Sequence, residues 1–170
     1  MTTPARKRTS RPLRIALIDA HPVVRLGLRS LFESQPSFSV VGDTSTLAAA
    51  LPALRLGEPD VLITDTFPIP PSVLRRQQTL RVIYTFETLE HCSLARLTQE
   101  LRQGHAGFVL KQISLDRLRL AVRQVASGRT YRDPAFRRLV DETRRQQDTV
   151  RQMRRNKGRR SNRREKTGDT

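Results

Sequence analysis

The sequence predicts a doubly wound α/β domain, built on a five-stranded parallel sheet and extended by a C-terminal basic helix. Three observations predict it. Short runs rich in β-branched and aromatic residues recur between residues 13 and 110, and segments with helical spacing lie between them. The runs are continuously apolar rather than alternating, as expected of strands covered on both faces. A repeated strand–helix order calls for right-handed crossovers with helices on both sides of the sheet.

The elements follow in order. Residues 1–12 place Pro4, Pro12 and hydroxyl side chains among basic ones and read as a disordered basic leader. Leu13–Asp19 (LRIALID) is the first strand and ends on a carboxylate. Pro22–Gln35 begins with a proline, favoured in a first helical turn, and Pro36 stops it. Its Val23, Leu26, Leu31 and Phe32 are expected to share a face. Phe38–Val41 is the second strand, and Thr44–Leu56 is an Ala/Leu-rich helix with Thr44 or Ser45 as its N-cap. Pro52 there predicts a kink or an early end. Val61–Asp65 (VLITD) repeats the strand-then-carboxylate pattern. Pro68, Pro70 and Pro71 then crowd a segment without clear periodicity. Leu80–Phe86 is the fourth strand. Leu89–Arg102 follows as a helix with Leu94, Leu97 and Leu101 on one stripe, closed by Gly104. Gly107–Leu110 is the fifth strand. Ser114 then caps Leu115–Ala126, whose Leu115, Leu118, Val122 and Val125 make a seam before Gly128. These elements assign residues 13–130 to one domain.

Asp133-Pro134 is a strong helix start, an Asp N-cap with Pro in the first turn, and residues 131–153 read as a linker helix. Phe136, Leu139, Val140, Thr143, Val150 and Met153 recur in a rough heptad that Gln146 and Gln147 interrupt. Phe136 and Leu139 are expected to pack on the domain body; a homodimer through this helix would be of modest strength. From Arg154 onward no apolar residue occurs, so residues 154–170 read as a disordered basic tail.

Composition excludes several classes. The chain has 170 residues, 32 Lys plus Arg against 16 Asp plus Glu, and a formal charge of +16. Residues 1–14 carry five basic residues and no acid; residues 137–170 carry thirteen basic and five acidic. The body is therefore near neutral, with cationic ends. A single cysteine, Cys92, rules out a disulfide framework and a cysteine-based zinc site. His21, His91 and His105 do not stand at metal-ligand spacings. No apolar run approaches the roughly 18–20 residues that span a bilayer, and Ile15–Ile18 is too short for a secretory core, which points to a cytoplasmic protein without membrane contact.

In a parallel sheet ordered 2-1-3-4-5, Asp19, Asp65, Thr85 and Lys111 all fall at carboxyl ends of strands, where ligands bind in such sheets. Two carboxylates, a hydroxyl and an ammonium around one cleft suit phosphoryl chemistry, with a carboxylate as nucleophile and a cation to balance it. After Asp19 the chain reads Ala-His-Pro-Val-Val, so no glycine-rich phosphate cradle follows the first strand. His21 reads as part of a turn, and Cys92 beside His91 as inert on a helix.

Residues 13–139 resemble the receiver domain of two-component response regulators, in particular the NarL/FixJ-type branch. The resemblance rests on LRIALIDAHPVVRLGLRSLF, PDVLITD, RVIYT, GHAGFVLKQIS and ASGRTYRDPAFRRL, about three-quarters of the chain. It implies a flavodoxin-like receiver fold with a phosphate-accepting Asp65, Lys111 paired with the phosphoryl group, and Thr85 (with Thr88 as rival) as the switch hydroxyl. It also implies a switch aromatic at Phe108, a sensor histidine kinase as partner, and Asp19 and Asp65 as magnesium ligands.

The departures are specific. Ala20 stands where the family usually has a second acidic residue that binds magnesium, and the loop after Asp65 reads Thr-Phe-Pro-Ile-Pro with prolines shifted. The LuxR-type helix-turn-helix that follows such receivers is lacking; a basic helix and tail take its place. Two charges about 4 Å apart interact by roughly 4 kcal/mol at an effective dielectric of ~20, so a missing carboxylate weakens the magnesium site substantially. The expected function is a response regulator receiver that either accepts phosphate on Asp65 or acts as a phosphorylation-independent pseudo-receiver. The alternative is a nucleic-acid-associated regulator binding DNA or RNA nonspecifically through Arg154, Arg155, Lys157, Arg159, Arg160, Arg163 and Arg164. No aromatic residue is interleaved there for base stacking. A hydrolase using Asp19 and Asp65 ranks last, for want of a base near a nucleophile, and no enzyme is expected.

Overall fold

The computed structural model describes residues 11–56, 58–75, 79–89, 93–103 and 106–165. Six strands and six helices alternate through them: β1 (Leu13–Ile18), α1 (Pro22–Glu33), β2 (Phe38–Thr44), α2 (Leu47–Arg55), β3 (Val61–Thr64), α3 (Pro71–Leu74), β4 (Arg81–Phe86), α4 (Leu94–Gln103), β5 (Ala106–Leu110), α5 (Leu115–Ala126), β6 (Tyr131–Arg132) and α6 (Pro134–Glu165). The sheet order is β2-β1-β3-β4-β5-β6, with every pairing parallel.

Period-two geometry sorts each strand between two cores. Ile15 and Leu17 of β1 face the layer formed by α1 and α5, with Phe32, Val122 and Val125. Ala16 and Ile18 face the opposite layer, with Leu54 of α2 and Leu97 of α4. Both layers are dry, which is why the strand sequences are apolar throughout. Gly107 lies where α5 presses closest: a Cβ there would stand 2.9 Å from Ile83 Cγ1 and 3.1 Å from Val125 Cγ2.

The sheet has a sixth strand that apolar runs did not reveal. Tyr131 and Arg132 pair with Gly107 and Phe108, and the Asp133 N–H donates to the Phe108 carbonyl at 3.0 Å. Two residues give too little pattern to read; the open edge of β5 recruits them through backbone bonds. Other boundaries shift as well. The N-cap of α2 is Thr46, whose hydroxyl accepts from the Ala49 N–H at 3.3 Å, and the helix carries Pro52 within its last turns. Ser114 occupies the N-cap position of α5 without a side-chain cap bond. Val23 and Leu26 face solvent at 82% and 69% exposure, so the buried stripe of α1 is Leu31 and Phe32 with Leu28 beside them. Leu115 is likewise exposed, while Leu118, Val122 and Val125 are buried. Leu97 is buried, and the side chains of Leu94 and Leu101 lie outside the described residues, as do His91, Cys92, Gly104 and His105.

Asp133 starts α6 as its pattern predicts: Oδ1 accepts from the Ala135 N–H at 2.8 Å and its carbonyl accepts from the Arg137 N–H at 3.0 Å. Phe136 and Val140 are buried against Phe86 and Phe108, with Leu139 beside them. The helix continues past Met153 to Glu165, through the stretch whose polarity reads as a tail. Arg, Gln and Lys are good helix formers, and no proline interrupts them.

Residues 1–10 of the expected leader (1–12) lie outside the described residues, but its last charged residue, Arg11, is anchored. Arg11 Nη1 and Nη2 donate to Asp60 Oδ2 and Oδ1 at 3.1 and 2.8 Å, and the Arg14 N–H donates to Oδ2 at 2.9 Å. This clasp closes the amino-terminal end of the sheet, between the starts of β1 and β3. Among the described residues, no helix is long and apolar enough to cross a membrane.

Gly107→Ala is expected to lower the unfolding free energy by about 1–3 kcal/mol, the usual cost of overpacking a dense core, measured by urea titration followed by circular dichroism.

Candidate functional site

The carboxyl ends of β1, β3 and β5 deliver Asp19, Asp65 and Lys111 to one place. Backbone bonds set them there: the Asp65 N–H donates to the Ile18 carbonyl at 3.1 Å, the Asp19 N–H to the Thr44 carbonyl at 3.2 Å, and the Lys111 N–H to the Phe86 carbonyl at 2.8 Å. Each residue therefore leaves its strand in register with its neighbours.

The Lys111 ammonium is the centre of the site. Its Nζ lies 2.8 Å from Asp19 Oδ2, 3.5 Å from Asp65 Oδ2 and 3.6 Å from Glu87 Oε1. Asp19 is 2% exposed, yet both of its oxygens are satisfied. Oδ1 accepts from the His21 N–H at 2.8 Å and lies 3.0 Å from His21 Nδ1, while Oδ2 takes the lysine. Arg25 Nη1 donates to the Asp19 carbonyl at 2.6 Å, tying α1 to the end of β1. Asp65 Oδ2 accepts from the Ala20 N–H at 3.2 Å and from Lys111.

These contacts fix the charge states. Burial pushes the Asp19 carboxyl up, but hydrogen bonds from Lys111 and His21, with the charge of Lys111, outweigh it and hold the group below its ordinary value. Burial pulls Lys111 down; the hydrogen bond and charge of Asp19, then the charges of Asp65 and Glu87, raise it above its ordinary value. Both groups are therefore ionised near neutral pH.

The sequence missed two members of this cluster. Glu87 comes from just beyond β4, and its signal was its place two residues past Thr85 at a strand end. His21 reads as a turn residue, yet its ring stands beside both Asp19 and Lys111, 3.4 Å from the amine. Thr85 is buried at the end of β4, opposite Val109 of β5, and among the described residues no hydrogen bond joins it to Asp65 or Lys111. Phe108 is fully buried, its ring 5.6 Å from that of Tyr84 and 5.6 Å from that of Phe136. The side chains of Arg154, Arg155, Lys157, Arg159, Arg160, Arg163 and Arg164 lie outside the described residues.

Asp19, His21 and Asp65 offer ligand atoms that all lie within 4.8 Å of one another. Magnesium prefers a near-octahedral shell of oxygens, and imidazole suits softer ions. Position 20 contributes a backbone N–H in place of an acid, and Lys111 offsets one of the carboxylate charges. The donor set is a poor fit for magnesium.

No protein-family model matches the chain. Its curated relatives include the transcriptional regulatory protein DegU of Brevibacillus brevis, 28% identical over 76% of this chain and 60% of that protein. The DNA-binding transcriptional activator DevR/DosR of Mycobacterium tuberculosis is 30% identical over 71% of this chain and 58% of its own length. The chain thus spans about three-fifths of the curated relatives it matches. Among solved structures, a LuxR-family two-component response regulator from Aurantimonas sp. superposes with a TM-score of 0.62 at 25% identity, over 78% of this chain and 98% of that one. The signal receiver domain of the response regulator NarL of Mycobacterium tuberculosis gives 0.58 at 27% identity, over 71% of this chain and all of its own.

Two pH trends follow. Asp19 has a depressed value in the folded state, so its stabilisation is present above the unfolded value near 3.8 and is lost as pH falls through the folded value. Lys111 has a raised value, so its contribution is complete below 10.5 and is lost as pH rises through the higher folded value. Urea titrations are expected to show the gap between wild type and Asp19→Asn closing as pH drops below about 4. At neutral pH, Lys111→Met strands a buried carboxylate and is expected to cost roughly 3 kcal/mol.

Proposed function

Since the chain belongs to the two-component response regulators through its receiver domain, we propose that Asp65 is its phosphate-accepting residue and that the site works with little help from magnesium. The observation that carries this reading is the Lys111 ammonium standing between two strand-end carboxylates, 2.8 Å from Asp19 and 3.5 Å from Asp65. Both recorded contacts of Asp65 fall on Oδ2, which leaves Oδ1 as the attacking oxygen. In the transfer, Oδ1 forms a bond to the phosphorus of a donor, the donor's own bond to phosphorus breaks (P–N in a phosphohistidine, P–O in acetyl phosphate), and its electron pair leaves with the donor group. Lys111 is the one cation of the cluster that can shift from Asp65 toward a phosphoryl oxygen.

The donor is a sensor histidine kinase, and the protein acts in the cytoplasm. Thr85 and Phe108 are the residues through which the state of Asp65 reaches the rest of the fold. Phe108 supports this role by position: it stands on the strand that leads into Lys111 and touches α6 through Phe136. A receiver of this kind runs slowly, because the cluster holds its carboxylates with an ammonium and an imidazole where a divalent ion would otherwise bring the donor's oxygens into line.

Incubation with acetyl phosphate is expected to add one phosphoryl group, seen by intact mass, that Asp65→Asn abolishes; an unlabelled wild type would overturn the phosphoacceptor role. Ala20→Asp supplies the missing oxygen and is expected to tighten magnesium binding by about tenfold or more in isothermal titration, with faster labelling.

A further inference from the structure

A second site lies away from the carboxylates. α4, β6 and α6 enclose a groove of about 560 Å³, and four guanidiniums line it: Arg102 of α4, Arg132 of β6, and Arg137 and Arg144 of α6. One carboxylate, Asp141, faces the same space. Among the described residues, Arg102, Arg137 and Arg144 make no salt bridge with a carboxylate, whereas Arg11, Arg14, Arg25, Arg29, Arg117 and Arg119 all do. The groove therefore sets four guanidiniums against one carboxylate.

Two of the arginines are held in place. Arg144 Nη2 donates to Thr98 Oγ1 at 2.9 Å across the groove, and Arg137 Nη2 donates to the Arg132 carbonyl at 3.4 Å. Arg137 and Arg144 stand two helical turns apart on α6, with Asp141 between them, while Phe136 and Val140 turn inward as a buried floor. Guanidinium stays protonated across the whole accessible pH range, so mutual repulsion around this depression persists until an anion enters. Its planar fork matches paired phosphate oxygens. The volume is far larger than one phosphate needs and falls in the range of small-ligand sites.

We propose that this groove binds a small molecule bearing a diphosphate group, which bridges α4 to α6. The ligand clamps α6 to α4 across the contact of Phe136 with Phe108 of β5, so its occupancy sets how firmly α6 is docked. Inorganic pyrophosphate and a nucleoside diphosphate share the recognised chemistry, and their relative affinity tells which source the groove takes.

The test is isothermal titration of the full chain with inorganic pyrophosphate and, separately, with ADP, at moderate salt. Three variants are compared with wild type: Arg137→Ala/Arg144→Ala, Arg102→Ala from the opposite wall, and Arg55→Ala/Arg129→Ala, exposed arginines that do not line the groove. Circular dichroism melts confirm that each is folded; all the altered side chains described are exposed. The expected result is pyrophosphate binding that weakens about tenfold or more in both groove variants and is unchanged in the third. Tighter binding of ADP than of pyrophosphate assigns the groove to nucleotides, and equal binding assigns it to the diphosphate alone. Absence of binding by wild type overturns the proposal. So does an equal loss in the third variant, which would reduce the effect to bulk positive charge.

Discussion

A single ammonium holds the carboxyl-end rim of this sheet together. Parallel strands bring Asp19, Asp65 and Glu87 toward one point, where like charges with no cation among them would push one another apart. Lys111 prevents this. It touches all three, and its own chemical environment is set by them in turn. Asp19 is buried with both oxygens hydrogen-bonded, whereas Asp65 is held through Oδ2 by the Ala20 N–H and Lys111. Two like residues at equivalent strand ends thus sit in different surroundings: both accept a backbone N–H and meet Lys111, and only Asp19 also meets an imidazole.

Most of the fold was legible because both layers of the sheet are dry, and continuous apolar runs report that directly. Legibility failed where packing gave no periodic signal. Tyr131 and Arg132 became a strand through backbone pairing with Gly107 and Phe108. Val23 and Leu26 turned outward because a helix of mixed Leu, Val and Arg offers more than one plausible apolar face, and only the position of Phe32 in the core decides between them. In the site, Asp19, Asp65 and Lys111 were readable from strand-end positions. Glu87 and His21 were not, since each reaches the cluster from a loop whose direction depends on the neighbouring helix. The replacement at position 20 was readable, and its consequence is physical: a backbone N–H now points at Asp65 with no acid beside it.

The strand that presents Lys111 also carries Phe108, and the next element in space is α6. Ring contacts run from Tyr84 through Phe108 to Phe136, and from Phe86 to Phe136. A close-packed interior transmits displacement poorly by degrees and better by discrete repacking. An aromatic cluster thus joins β4 and β5, the strands that carry Thr85 and lead into Lys111, to the basic helix.

The clasp of Arg11 and Arg14 on Asp60 has a practical meaning of its own. It pins the beginning of the first strand at the pole of the sheet opposite Asp65 and Lys111. A dye, affinity handle or surface tether attached at Arg11 would sit at that far pole, leaving the acidic rim clear for solution measurements on an immobilised molecule.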